Sequence, residues 1–121
     1  MRHVLARLRQ ASGIVVLADC VLAANTAMDT LVALREADLA QPDARTDVLD
    51  KASRYAAQLK QCEPIASPDQ RGDPEFRRLV DGANASVIMV GQALGQRDSA
   101  LLGRLIDELR AFDRLLAFRF G

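Results

Sequence analysis

The sequence predicts an all-α protein, an antiparallel up-down-up-down four-helix bundle with a long first helix. Three observations carry this. Apolar side chains recur at three- and four-residue steps in four separate stretches. Breaks rich in Pro, Asp and Gly separate the stretches. The two runs that resemble buried strands, GIVVLAD and ASVIMVG, cannot alone make a sheet, and GQALG is not a GxGxxG phosphate loop. The 121 residues read as one domain, 1–121.

The first helix is expected to be long. Ile14, Leu17, Val21, Ala24, Met28, Leu31, Val32 and Leu39 fall on one side at helical spacing, and Ser12, Asp19, Thr26 and Thr30 fall opposite. The pattern persists for about 26 residues, roughly 40 Å of helix. If helix extends back towards Arg2, residues 1–12 form an arm carrying Val4, Leu5 and Leu8. That arm either projects to cover itself on a second subunit or folds back through a bend at Ser12 and Gly13.

Pro42 is expected to end this helix, with Asp43 or Thr46 capping the next. Val48, Leu49, Ala52, Tyr55, Ala56 and Leu59 mark the second helix, ending near Cys62. The stretch EPIASPDQRGDP holds three of the four prolines, and residues 63–73 read as a loop. Asp73 as cap, Pro74 in the first turn and Glu75 at the positive end of the dipole announce the third helix. Its stripe is Phe76, Leu79, Val80, Ala83, Val87, Val90 and Leu94; Gly82 and Gly91 within it are expected to let a neighbour approach closely. GQRDS is a tight link with Asp98 as cap. Leu101, Leu102, Leu105, Ile106, Leu109, Phe112, Leu115 and Leu116 then form the fourth stripe.

Half the residues are apolar and 26% are charged, a globular composition. With 16 basic and 16 acidic side chains, the chain lacks the unbalanced cations of a dedicated nucleic-acid binder. Arg dominates the basic residues, as in the coding composition of a high-GC bacterial genome. Cys20 and Cys62 are too few and too far apart for a zinc site or a CxxC motif, and read as free thiols on helices. In an exported protein they would form one disulfide instead. The basic start, MRHVLARLRQ, suggests a secretion signal, but Asp19 interrupts the apolar run that follows. The expected compartment is the cytoplasm, with the periplasm as the alternative if residues 1–24 act as a signal peptide. No stretch approaches the roughly 18 apolar residues of a membrane span.

No catalytic constellation or metal site emerges. His3 is the sole histidine and has no acid or nucleophile near it in sequence, and the four glutamates are scattered, unlike the Glu-x-x-His pattern of di-iron bundles. Asp107 and Glu108 are expected to pair with Arg104 and Arg110 along their helix. Arg110 and Arg114, one turn apart, suit either a solvated face or an acidic partner. Met28 and Met89 lie near the middle of their helices; methionines on an apolar stripe read first as core filler, and only if they faced one another across the core would they ligate haem.

From about Leu22 onward the chain resembles the soluble periplasmic b-type cytochromes, four-helix bundles that hold haem between a Met and a His. TAMDTL is similar to the segment carrying their ligand methionine, which the resemblance places at Met28, and DPEFRRLVDG is similar to the start of their third helix. FDRLLAFRFG departs from the pattern, with Ala117 where the ligand histidine would stand. His3 cannot replace it, being about 25 residues and roughly 37 Å from Met28 along a helix. The resemblance therefore implies the bundle without the ordinary haem site.

The expected function is non-enzymatic, with no resident cofactor: a helical protein that self-associates as a homodimer or binds another protein. Its candidate interaction surface is Val4, Leu5, Leu8, Arg110 and Arg114. The alternative is a diverged haem or metal carrier using Met28.

Overall fold

The computed structural model describes residues 16–121, and these are all-α. The helices are α1 (Leu17–Val32), α2 (Pro42–Cys62), the one-turn α3 (Pro68–Arg71), α4 (Pro74–Gln96) and α5 (Ser99–Phe120). ASVIMVG lies within α4 and is not a strand. The expected arm over residues 1–12 lies outside the described residues.

The first helix is shorter than its periodicity implies. It starts after Val16, which is extended (φ −89°, ψ 155°), and spans 16 residues. Asp19 sits in its first turn, exposed, while Leu17, Cys20, Val21, Ala24, Met28 and Leu31 are buried. Past Val32 the bonding tightens. Leu34 N–H donates to Leu31 at 2.9 Å, Arg35 to Val32 at 3.1 Å and Ala37 to Leu34 at 3.0 Å, each across three residues. These turns still deliver Leu39 to the core. A heptad jump from Val32 to Leu39 looks helical in sequence, but tight turns reach the same place.

Pro42 opens α2 instead of merely closing α1. It occupies the first helical position behind extended Gln41, where its missing N–H leaves no orphan. The Arg45 guanidinium donates to the Leu39 carbonyl at 2.8 Å and so ties down the link. Val48, Ala52, Tyr55, Leu59 and Cys62 are buried, whereas Leu49, expected on the same stripe, is exposed. It stands 100° around from Val48, at the edge of the buried face.

The 63–73 loop contains α3. Gln70 N–H donates to Ser67 Oγ at 3.2 Å and Ser67 N–H to Gln70 Oε1 at 2.9 Å, a reciprocal capping box that a single turn needs to hold its ends. At α4, Asp73 caps as expected, accepting from Glu75 N–H at 2.9 Å, with Pro74 in the first turn. Asp98 likewise caps α5, accepting from Leu101 N–H at 3.0 Å. Between them Arg97 takes a left-handed conformation (φ 53°) to terminate α4.

Each long helix packs on two others: α1 on α2 and α5, and α4 on α2 and α5. Cross-helix contacts give the directions. The start of α1 (Cys20) is bonded to the end of α2 (Cys62). Glu63, just past α2, pairs with Arg77 in the first turns of α4, and Arg119 at the end of α5 pairs with Asp73 at the start of α4. Asn25 meets Asp113, and the later Arg35 meets the earlier Asp107. Every adjacent pair of long helices is thus antiparallel. Fully burying each core Leu or Ile stabilises by about 1.5–3 kcal/mol relative to exposure, and twelve large side chains are essentially inaccessible.

The two mid-helix glycines behave differently. A Cβ at Gly82 would lie 2.6 Å from Phe112 Cζ, so α5 packs its ring directly on α4 backbone. A Cβ at Gly91 would meet nothing within 4 Å, so the close approach expected there does not occur.

Candidate functional site

The two cysteines are not free thiols. Cys20 and Cys62 form a disulfide, with Cα atoms 5.6 Å apart, inside normal bridging range. Antiparallel packing of α1 on α2 brings the first turn of one beside the last residue of the other, which spacing along the chain cannot reveal.

Met28 is a core residue, 1% exposed, on the buried stripe of α1. Met89 is 39% exposed on α4, so the two methionines do not face one another across the core. The neighbouring Val90 takes the inward position. Ala117 packs against the core at the position where the cytochrome-like pattern would need histidine. Among the described residues no group of three or more His, Cys, Asp or Glu side chains is arranged to hold a metal ion.

The core does contain one carboxyl group. Asp113, on the inward face of α5, is 1% exposed. Asn25 Nδ2 donates to its Oδ2 at 2.7 Å, and Tyr55 OH donates to its Oδ1 at 3.2 Å, so α1, α2 and α5 meet at one side chain. Burial pushes the Asp113 carboxyl above the ordinary range; the bonds from Asn25 and Tyr55 oppose this, and the Asp29 charge adds to it. The Tyr55 hydroxyl is pushed up, chiefly by burial and then by the adjacent Asp113. Burial leaves this pair without access to a substrate. It works as a three-helix polar clasp whose donors and acceptors are matched.

The clefts are open and shallow. One of about 480 Å³ lies between the α1–α2 link and the start of α5, lined by Arg35, Glu36, Asp38, Ser99 and Arg104 among others. Arg35 there makes a two-bond pair with Asp107, at 2.7 and 2.6 Å. The expected pairing of Asp107 within its own helix gives way to this link to the end of α1, because a planar guanidinium matches both carboxylate oxygens. The pair holds Asp107 below the usual carboxylate range, first through the hydrogen bond.

What the surface offers is apolar. On α5, Phe118 is 87% exposed and Leu115 is also exposed, although Leu115 reads as core in sequence. Arg110 and Arg114 share this side of α5; both are exposed, and neither has an ion pair within 4 Å among the described residues. Arg110, Arg114 and Phe118 follow one another at four-residue steps and so form a stripe. Val4, Leu5 and Leu8, expected to join this surface, lie outside the described residues. On α4, Ile88 is 75% exposed and lines a cleft of about 400 Å³ between α2 and α4. Ile88 and Phe118 carried a faint signal: each is a large apolar residue off its helix's stripe, which a search for core positions discards.

No helix among the described residues is long and apolar enough to cross a membrane. Comparison with protein-family models, with curated proteins and with solved structures finds no match to this chain.

Proposed function

We propose that this chain is a non-enzymatic four-helix bundle, up-down-up-down, that acts by binding protein, a second copy of itself included. One observation carries the reading: Phe118 on α5 and Ile88 on α4 hold large apolar side chains mostly in water. Isolated apolar residues are ordinary on a surface, but these two stand beside Leu115 and in a small-residue cleft, respectively. The antiparallel contacts between long helices support the bundle, and the one-turn α3 is an ornament of its loop. The likeness to the b-type cytochromes enters as a likeness of helix order alone.

The disulfide favours maturation in an oxidising compartment over a reducing cytoplasm. The periplasmic alternative that removes residues 1–24 conflicts with the same bond, since that cut takes away Cys20 with Leu17, Val21 and Ala24 from the core. Light scattering across a dilution series tests the association reading. A concentration-dependent dimer is expected; a strictly monomeric protein that also captures no protein partner overturns it.

A further inference from the structure

We infer that the α2/α4 face, and not the Arg110–Phe118 stripe, is the surface on which two copies of this chain meet. This rests on the self-association reading above and goes further by naming the surface and its pairing. The cleft between α2 and α4 has a floor of small residues, Ala56 and Ala57, with Val87 beside them and Ile88 standing at the rim. A two-fold interface needs a projection and a recess on the same patch, because each copy presents the identical surface. This face has both: a branched apolar side chain almost fully in water, and next to it about 400 Å³ of unfilled cleft.

Charge adds a second, independent condition. Lys60 and Glu63, near one end of α2, line the same cleft. A two-fold axis that passes between these two residues would set Lys60 of each copy against Glu63 of the other, so that both signs are matched twice over. Lys60 has no ion pair within 4 Å among the described residues, and Glu63 is held only at 3.8 Å by Arg77. The Arg110–Arg114 stripe lacks this property, because the acid one turn before Arg110, Asp107, is already engaged by Arg35 in two hydrogen bonds. Phe118 and its two arginines fit a different, acidic partner.

The experiment uses the full chain and sedimentation or light scattering to read the dimer dissociation constant. Ile88→Glu is expected to weaken the dimer on the order of 100-fold, as loss of a central apolar anchor does, while Phe118→Ser leaves it unchanged. Lys60→Glu alone and Glu63→Lys alone are each expected to weaken it, and the double variant, which exchanges the two charges, to restore it. Circular dichroism and the intact disulfide report that each variant is folded. A dimer that survives Ile88→Glu but is lost in Phe118→Ser overturns this inference and leaves self-association standing. A double variant as weak as the single ones overturns the charge pairing. A wild-type chain that is monomeric throughout overturns both the inference and the reading beneath it.

Discussion

Cys20 and Cys62, 42 residues apart in sequence, stand 5.6 Å apart at Cα and staple the first turn of α1 to the last residue of α2. The bond closes a loop whose conformational freedom it removes from the unfolded chain. Loop-closure entropy puts the stabilisation at about 4 kcal/mol. Reduction, or the double substitution Cys20→Ala and Cys62→Ala, is expected to lower unfolding free energy by about 2–4 kcal/mol in urea titrations. An unchanged midpoint with reductant present would remove the bond from the account of stability.

The glycines of α4 make an internal control. In a helix interior Gly→Ala ordinarily gains up to about 1 kcal/mol. Gly91→Ala is expected to show that gain, since its new methyl group meets nothing. Gly82→Ala is expected to lose about 1–3 kcal/mol, because the Phe112 ring must move aside. Thermal unfolding of the two variants side by side gives opposite signs, and Phe112→Leu should soften the Gly82 penalty. Two variants that stabilise alike would show that the ring yields freely.

Asp113 predicts a pH dependence with a definite sign. Its folded-state carboxyl is raised, chiefly by burial, so the folded protein holds that proton more tightly than the unfolded chain does. This contribution is fully present below the ordinary carboxylate pKa and is lost as pH rises through the raised folded value. Asp107, Glu75 and Asp50 run the other way: lowered by hydrogen bonds from Arg35, Arg78 and Arg54, they lose their contributions as pH falls. Asp113→Asn isolates the first effect. The amide accepts from Tyr55 and donates to a flipped Asn25, so the clasp survives without charge. The variant is expected to match or exceed wild type at pH 7, the difference shrinking towards pH 4. Asp113→Ala, which strands the buried Tyr55 hydroxyl and the half-buried Asn25 amide, is expected to lose about 2–4 kcal/mol. A difference between wild type and Asn that does not vary with pH would contradict a raised Asp113.

Met28 is predicted to be filler. Met28→Leu should change stability by less than about 1.5 kcal/mol, whereas Met28→Ala should lose about 2–5 kcal/mol. Titration with haem distinguishes a ligand from a packing residue. A Soret band that appears with wild type and vanishes in the folded Leu variant would restore the ligand role.

The all-α class was legible because burial repeats with the helix period, and the caps at Asp73 and Asp98 because their chemistry is local. Asp19 sits in water for the same reason: periodicity assigns faces well. The ends of α1 were less legible, since tight turns after Val32 place Leu39 where a continuing helix also would. Leu49 and Leu115 show a related limit: a side chain 100° from the stripe is apolar in sequence whether or not a neighbour covers it. The disulfide, the Arg35–Asp107 pair and the Asp113 clasp all join residues distant in sequence. Each depends on which helices become neighbours, and no local pattern encodes that. Asp113 draws no notice in sequence, although Leu109 and Leu116 flank it at four and three residues on the core face.

The Arg119–Asp73 pair and the Cys20–Cys62 bond together bring Leu17 and the end of α5 to a common pole, with the Arg97 turn at the other. A circularly permuted chain, joined from Gly121 to Leu17 by a short Gly-Ser segment and reopened beside Arg97, would therefore keep all four long helices and their covalent staple. Its helical signal on refolding should match that of the parent, and reopening there would relieve Arg97, the one non-glycine residue held at positive φ among the described residues. The order in which the helices are written along the chain would then prove separable from the way they pack.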